Sequence, residues 1–583
     1  MSIPLGKSST ARETPEWEPV CISIATDKDR ESIYRIRHDV YARELGQHPV
    51  NGHGRLTDSL DAFNTYIVAR VGGKVIGFIS ITPPGGPSIS IDKYISREDL
   101  PFTFDGTCYE IRLLTVVKPY RWSQIASLLM YSAFRWVEAR GATRIIAMGR
   151  REILDVYLKV GLRSTGIHIQ SGAVHFEALT ATVAAIRENL SGYAPVLGKL
   201  KNQADWRLTI PFEKPKACYH GGAFFNAIGD EFDALDRAKN IISADVLDAW
   251  YPPSPRVLDA LTRNLPWILQ TSPPTGCEGL IRTIARVRGV NPDCILPGAG
   301  SSDLIFLAFR QWLSPTSRAL ILDPTYGEYA HVLEKVVGCQ VDRLVLSREA
   351  FYQLDPKRLE AALDRSYDLI VLVNPNSPTG GHIPRENLEP VLSGAPGMTR
   401  IWIDETYVEY AGPSQSLERF AARSENVIVC KSMSKVYALS GARAAYLCAS
   451  PHQLEELRAM TPPWAVSLPA QVAAVAALND PAYYAERYQE THLLREGLTA
   501  ALQGLNQKVD MIPSTANFIL CHLDPGGPNA STVCARCRAH GLFIRNAANM
   551  SRNLGTHAVR IAVKDKETNR KMVDILKRAL DGI

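Results

Sequence analysis

Lys431-Ser432-Met433-Ser434-Lys435-Val436-Tyr437-Ala438-Leu439-Ser440-Gly441-Ala442-Arg443 follows an apolar run from Val427 to Cys430. The run predicts a buried strand, and the hydroxyl-rich segment after it predicts a turn at the strand's end. Lys435 stands in that turn with Arg443 further along it. A lysine amine is a nucleophile only when neutral, and a neighbouring cation favours the neutral form. Arg443 is placed to supply that cation and, with the Ser432 and Ser434 hydroxyls, to hold a phosphate. Alone, the stretch also reads as a polar loop capping a helix, so its neighbours decide.

Upstream, Leu369 to Val373 is a second apolar run, ending in Asn374-Pro375-Asn376-Ser377-Pro378-Thr379-Gly380. A third, Arg400-Ile401-Trp402-Ile403-Asp404-Glu405-Thr406-Tyr407, ends in carboxylates. Open parallel sheets place their chemistry at such strand ends. Lysine, hydroxyls and arginine describe a pocket for an aldehyde bearing a phosphate, which is pyridoxal phosphate. Asp404 is the residue type that pairs with a protonated pyridine nitrogen, and Tyr407 can donate to the ring's phenolate oxygen. Gly298-Ala299-Gly300-Ser301-Ser302-Asp303 opens an apolar segment, Leu304 to Leu313, and offers helix N-terminal amides to a phosphate. A dinucleotide fingerprint would need a glycine where Asp303 stands. Asp323-Pro324-Thr325-Tyr326-Gly327 ends another strand and offers an aromatic ring for stacking.

By these motifs, in this order, residues 218–583 resemble the fold-type-I pyridoxal-phosphate enzymes of aminotransferase class I/II, in the branch of the histidinol-phosphate aminotransferases and threonine-phosphate decarboxylases. The resemblance implies a large domain, residues 255–475, with a mostly parallel sheet between helices, and a small α+β domain, residues 476–583. It implies that Lys435 carries the cofactor covalently, Asp404 meets the pyridine nitrogen, Tyr407 binds the ring hydroxyl and Tyr326 stacks on the ring. Ser301, Ser302, Ser432, Ser434 and Arg443 then hold the phosphate. Tyr251 is expected to reach the phosphate of a second subunit, which implies a homodimer, and Arg560 to bind the substrate carboxylate. Ser377 replaces the family's asparagine before Pro-Thr-Gly, so its contact is expected to pass to Asn376 or to water. Asp245 stands where many relatives carry asparagine. His220, in Tyr219-His220-Gly221-Gly222, matches a histidine near the substrate of the decarboxylases and otherwise reads as part of a turn.

At 583 residues the chain exceeds what one hydrophobic core serves. Its 46% hydrophobic and 21% charged content is that of a globular protein, and a net charge of +5 gives no sign of a nucleic-acid partner. No run approaches the ~20 apolar residues of a membrane helix. Residues 1–19 read as a disordered polar tail rather than a secretory signal. Eleven scattered cysteines suggest reduced thiols in a cytoplasm. Cys534-Ala535-Arg536-Cys537 lies in a helical stretch with no second pair, so no metal is expected.

The N-terminal third differs. A helix is predicted from Asp27 to Glu44, a hairpin at Thr65–Val71 and Val75–Ile81 around Gly72-Gly73-Lys74, and a strand from Tyr109 to Val117. A helix from about Ser123 to Arg140, a strand from Thr143 to Met148 and a short helix from Ile153 to Lys159 follow. This order, with Tyr157-Leu158-Lys159-Val160-Gly161-Leu162, resembles the GNAT acyltransferases over residues 20–197. Arg121-Trp122-Ser123-Gln124-Ile125-Ala126 lacks the first glycine of their pyrophosphate loop, where backbone must approach the ligand closely. Arg37…Tyr41, Asp58-Ser59-Leu60-Asp61 and Tyr66 resemble the acyl-homoserine-lactone and long-chain N-acyl amino acid synthases, a GNAT variant. That resemblance implies an acyl carrier protein or acyl-CoA thioester donor and makes Arg37, Asp58 and Asp61 candidate substrate contacts. Asp58 and Asp61 also read as a solvated turn. Glu110-Ile111-Arg112 approximates the variant's E-x-x-R with the arginine one position early, a slip that would turn it to the opposite face of a strand. Acyl transfer needs a base, an oxyanion donor and an acid; Glu110 is the candidate base and Tyr157 the candidate acid.

Residues 198–217, mixing Gly, Lys, Asn, Asp and Pro, are expected to be a linker with an extended piece at Trp206 to Ile210. The expectation is a bifunctional cytoplasmic enzyme that transaminates an amino acid or amino phosphate and acylates an amine. The alternatives are an α-decarboxylase making the amine, and an N-terminal unit that only docks an acyl carrier protein.

Overall fold

The protein is seen here as a computed structural model that describes residues 19–583, apart from Pro87, Trp122, residues 216–217, Tyr219, Asp230, Asp233, residues 506–508 and Ile583. The expected tail lies, but for Pro19, outside the described residues. The chain divides into two compact units between residues 217 and 218.

The first unit has one sheet of strands β1 (Val20–Ile24), β2 (Thr65–Val71), β3 (Lys74–Thr82), β4 (Cys108–Val116), β5 (Arg144–Arg150), β6 (Arg163–Ser171), β7 (Val174–Thr182) and β8 (Ala204–Trp206). Their order is β6-β7-β5-β4-β3-β2-β1-β8. The β4–β5 and β1–β8 pairs are parallel and the rest antiparallel. Gly72 and Gly73 take the positive φ (55° and 76°) that closes the β2–β3 hairpin. Helix Ile125–Glu138 lays Ile125, Leu128, Leu129 and Val137 on Ile67, Ile79 and Ile145 of the sheet. Burying each such side chain stabilises by about 1.5–3 kcal/mol. Leu113 has φ 55° in β4, where pairing with β3 slips between Phe78 and Ser80; the bulge opens the strand at mid-sheet.

The expected linker is corrected here. Helix Ala194–Asn202 runs through its first residues, Leu200 is 2% exposed, and β8 adds a parallel strand beside β1. A three-residue edge strand has too little pattern to be read from sequence.

In the second unit the strands are β9 (Ile242–Ala244), β10 (Ile295–Gly298), β11 (Arg318–Asp323), β12 (Gln340–Val345), β13 (Leu369–Val373), β14 (Arg400–Asp404), β15 (Val427–Ser432), β16 (Ala445–Cys448), β17 (Val509–Ile512), β18 (Phe518–Leu523), β19 (Leu542–Asn546) and β20 (Ala558–Ala562). The large sheet runs β10-β16-β15-β14-β13-β11-β12, and β12, β11, β13, β14 and β15 are mutually parallel. Only β16 runs against its neighbours. Alternate residues of β13 enter two cores: Leu369, Val371 and Val373 pack with helix Ser301–Trp312, and Ile370 and Leu372 with the core on the other face. A strand covered on both faces is apolar throughout, as these runs are. The small sheet is β17-β18-β20-β19-β9, so residues 242–244, ahead of the large sheet, complete the C-terminal domain.

Candidate active sites

In the second unit the ends of β13, β14 and β15 converge. Asp404 closes β14 and is 4% exposed. Its Oδ1 accepts from the Thr406 amide (2.9 Å) and hydroxyl (2.6 Å), and its Oδ2 accepts from the Tyr329 hydroxyl (2.7 Å). Burial pushes its pKa up against these donors. Tyr407 is 6% exposed, with its ring edge-on to Phe518 at 5.3 Å, and burial raises its phenol pKa.

Lys435 follows β15, and its Nζ donates to Asp248 Oδ1 at 2.7 Å. Three tyrosines grip the backbone after it. Tyr251 and Tyr488 hydroxyls each donate to the Val436 carbonyl at 2.9 Å, and Tyr484 donates to that of Tyr437 at 3.2 Å. Tyr251 is 3% exposed, and its hydroxyl donates within its own subunit. The cation expected beside Lys435 is reassigned. Arg443 donates to Ser434 Oγ (3.5 Å) and to the Ser440 carbonyl (3.1 Å), whereas Lys564 lies near enough that the Lys435 charge, after burial, lowers its pKa.

Helix Ser301–Trp312 begins at Gly300 (φ 94°) with no side-chain cap, which leaves its first amides to a ligand. A Cβ at Gly300 would collide with the Arg443 guanidinium, so only glycine lets helix start and arginine close on one small space. Ser302 donates to Glu328 (2.9 Å), Ser301 opens the helix, and Ser432 and Ser434 are buried beside Arg443. This uncapped helix start, the guanidinium, the hydroxyls, the Lys435 amine and the buried Asp404 fit pyridoxal phosphate.

Ser377 and Asn376 part company. Asn376 donates to the Pro324 carbonyl (2.9 Å) and Thr379 Oγ1 (3.1 Å) and accepts from Thr325 (2.9 Å). Its amide is fully engaged in holding the β11 and β13 loops together, so the contact expected of it is not free to be made. Ser377 Oγ instead accepts from Arg560 Nη1 at 3.0 Å. Arg560, 5% exposed, also donates to the Asp245 carbonyl at 2.9 Å, and its buried Nε has no hydrogen-bond partner among the described residues. Burial lowers its pKa to about 10. Arg545, which motif reading missed, lies directly across β19–β20 from Arg560 and is 8% exposed. His220 Nδ1 lies 3.2 Å from the Tyr326 hydroxyl, and Asp245 Oδ2 accepts from the Gly222 amide (2.9 Å), holding that turn in place.

In the first unit, helices Leu154–Lys159, Val183–Ser191 and Ala194–Asn202 and the sheet enclose a cavity of about 940 Å³. Met130, Phe134, Leu190, Val196, Leu197 and Leu200 contribute to its apolar wall. Arg37, Asp58 and Tyr157 line it; Glu110 and Asp61 do not. Glu110, the expected base, is 1% exposed and accepts from the Ser90 amide (2.8 Å), the Ser90 hydroxyl and the Ile91 amide (3.2 Å). A carboxylate held by three donors is a loop anchor, and that assignment is corrected. Asp61 likewise is an internal partner, binding Arg37 (2.8 Å), the Tyr66 hydroxyl (2.5 Å) and the Asp58 amide (2.7 Å). Arg112 stands two residues from Glu110, hence on the same strand face, and reaches Asp58 at 2.6 Å. Arg37 (3.8 Å) and Lys93 (3.7 Å) also approach Asp58, and the Arg112 charge holds its pKa at about 2 against desolvation. Tyr157 packs on the Gly149 backbone, and burial raises its pKa to about 12. His48, also missed, lines the cavity at an exposed position; partial desolvation, then Arg37, holds its imidazole below the ordinary histidine value. Among the described residues no His, Cys, Asp and Glu cluster could hold a metal, Cys534 and Cys537 are buried free thiols, and no helix is long and apolar enough to cross a membrane.

The second unit thus has the fold and lysine-centred site of the fold-type-I pyridoxal-phosphate enzymes. Residues 247–576 match the sequence model of aminotransferase class I and II, more than half the chain, and the protein belongs to that family. Residues 30–162 match the acetyltransferase (GNAT) family. A histidinol-phosphate aminotransferase of Staphylococcus aureus (strain MRSA252) is 30% identical over 332 residues, 56% of this chain and 87% of the relative. The structure of a histidinol-phosphate aminotransferase from Sinorhizobium meliloti in complex with pyridoxal-5'-phosphate superposes with TM-score 0.54 at 21% identity, over 63% of this chain and 99% of that one. That of an L-threonine-O-3-phosphate decarboxylase from Porphyromonas gingivalis gives 0.51 at 22% identity, over 58% of this chain and all of that one. The chain is an enzyme that fuses a class I/II aminotransferase to a GNAT-type acyltransferase.

Proposed function

We propose that the second unit transaminates an amino acid or amino phosphate and that the first unit acylates an amine from an acyl carrier protein or acyl-CoA thioester. The observation that carries the first half is the convergence of Lys435, Asp404 and the Gly300–Arg443 cradle. Pyridoxal phosphate, bound there, supplies an aldehyde and an electron sink. Ser301, Ser302, Ser432, Ser434 and Arg443 hold its phosphate, Tyr326 covers the ring, and Tyr407 donates to the ring oxygen. Asp404, held by Thr406 and Tyr329, keeps the ring nitrogen protonated, and the Lys435 amine moves the substrate's α-proton. Arg560, buried with an Nε that has no hydrogen-bond partner among the described residues, supports a substrate that brings it an acid group. His220 beside Tyr326 favours a second reading, α-decarboxylation, because an imidazole there can steer the substrate's carboxylate away from Arg560.

In the first unit, the apolar wall suits an acyl chain, Tyr157 is the acid for the departing thiol, and His48 takes the place of Glu110 as the acceptor of the amine's proton. Asp58 with Arg37 and Arg112 faces the acceptor. The alternative, a module that docks an acyl carrier protein without catalysis, leaves His48 without a role. A homodimer through the second unit is supported by helix Pro255–Gln270, where Leu258, Leu265, Trp267 and Leu269 are 46, 44, 60 and 69% exposed. A cytoplasmic location completes the reading.

The test is mass spectrometry of products formed by the purified chain from amino acids, 2-oxo acids and acyl thioesters, supplied singly and together. A 2-oxo acid is expected from the second unit and an N-acyl product from the first. Carbon dioxide without 2-oxo acid would replace transamination by decarboxylation. Absence of acyl transfer from every donor would favour the docking module.

A further inference from the structure

Asp248 belongs to no motif, yet its carboxylate holds the most important amine of the second unit. Its Oδ1 accepts from Lys435 Nζ at 2.7 Å and from Ser440 Oγ at 2.6 Å. Ser440 Oγ is also 3.1 Å from the Ser434 carbonyl, and the Ser440 carbonyl accepts from Arg443. Asp248 is therefore tied to the same turn that carries Lys435 and the phosphate cradle, though it stands 187 residues away in sequence. Its backbone neighbourhood is anchored as well, since Asn517 Nδ2 donates to the Leu247 carbonyl at 3.0 Å.

The charges facing this pair come from four places. Lys564, just ahead of the C-terminal helix, is close to both Asp248 and Lys435, and burial first, then Lys435, lowers its pKa. Asp245 lies on the same segment as Asp248, Tyr407 follows β14 within range of Asp248, and Arg443 stands beyond Ser440. Asp248 is held in its ionised form chiefly by the Lys435 charge, against desolvation.

We propose that Asp248, anchored by Ser440, is the counter-ion of the Lys435 nitrogen: it keeps that nitrogen protonated in the resting enzyme and draws the released amine to the Ser440 side of the turn. This rests on the reading that Lys435 carries pyridoxal phosphate. A carboxylate within hydrogen-bond distance of a cationic nitrogen favours the protonated form, and here the Lys435 and Asp248 side chains are 22% and 43% exposed. Asp248 acts through Lys435 and is a positioning residue. Lys564 is the cation left to share Asp248 when the Lys435 nitrogen is neutral.

The experiment uses the holoenzyme and reads the visible spectrum. The long-wavelength absorbance of the protonated Lys435–cofactor link is titrated with pH in the unaltered protein and in Asp248→Asn, Asp248→Glu and Ser440→Ala. The midpoint is expected to fall by about one unit or more in Asp248→Asn, a tenfold loss of proton affinity. Asp248→Glu should restore most of it, and Ser440→Ala should fall in between. Borohydride reduction and peptide mapping accompany each titration. A modified Lys435 with an unmoved midpoint in Asp248→Asn overturns the proposal alone. Absence of any adduct at Lys435 in the unaltered protein overturns the cofactor reading beneath it.

Discussion

In the second unit most reactive side chains are held by neutral groups, Asp404 by Thr406 and Tyr329 and Arg560 by Ser377 and a carbonyl, and Lys435 alone of these by a charge, that of Asp248. In the first unit the charged groups near the cavity are held by one another, as Asp58 is by Arg112, Arg37 and Lys93, and the apolar walls enclose about 940 Å³. A site that handles a small cofactor stores its specificity in fixed hydrogen bonds, and their residue types show in the sequence. A site for a chain of methylenes stores it in volume, which no short motif spells. The second unit was therefore readable as chemistry, and the first only as a fold with candidate charges.

Lys435→Ala tests the fixed-bond side of the contrast most severely. Transamination should fall by about 10³-fold or more, since both the covalent anchor and the proton carrier are lost. The borohydride-fixed adduct should vanish while acyl transfer in the first unit persists; loss of both activities together would show that the two sites do not work separately. Asp58→Ala comes next and acts on the other side. It leaves Arg112, with its side chain 8% exposed, without its carboxylate, while Arg37 keeps Asp61. Breaking a buried pair in this way costs about 3–5 kcal/mol, readable as a lower midpoint for unfolding of the first unit in denaturant. Transamination measured below that midpoint should be unchanged.

Asp404→Asn keeps the shape and removes the charge, and should lower the transamination rate by about 10²-fold with little change in cofactor affinity. The first unit should also weaken in acid. Asp29, bound to Arg70, and Asp58, bound to Arg112, both have folded pKa values of about 2, below the ordinary 3.8. The stability they contribute is full above the ordinary value and is lost as pH falls through about 2. Calorimetry between pH 5 and 2 should show the first unit's transition falling over that interval. The smallest effect is expected from Leu190→Trp, which fills part of the cavity wall. It should shorten the preferred acyl chain by a few carbons and reduce the rate with the longest thioesters several-fold, with short ones unaffected.

Legibility followed sequence distance. The strand ends at Asp404 and Lys435 and the helix start at Gly300 each sit in a local pattern of apolar run and turn and were read from it, whereas the role of Arg560 came from the resemblance to the family. Asp248, Arg545 and the Tyr251, Tyr484 and Tyr488 clamp were not legible, because their partners come from remote segments. The inward bond of the Tyr251 hydroxyl to Val436 shows the same limit, since no local pattern foretells a partner so far along the chain. Glu110 and Asp61 had the right residue type for substrate contact, and Ser90, Arg37 and Tyr66 claimed them first.

The sequence by itself determined that the chain is too long for one core, where its apolar strand runs end, and which lysine, carboxylate and hydroxyls stand at those ends; the two families came from the resemblance of its motifs to known enzymes. Strand runs and strand-end residues are local patterns of side-chain type, written along the chain. Tertiary structure alone decided which carboxylate faces Lys435, that β9 completes the small domain, and how much empty apolar space the first unit holds. Those depend on which distant surfaces come into contact and on what they leave unfilled.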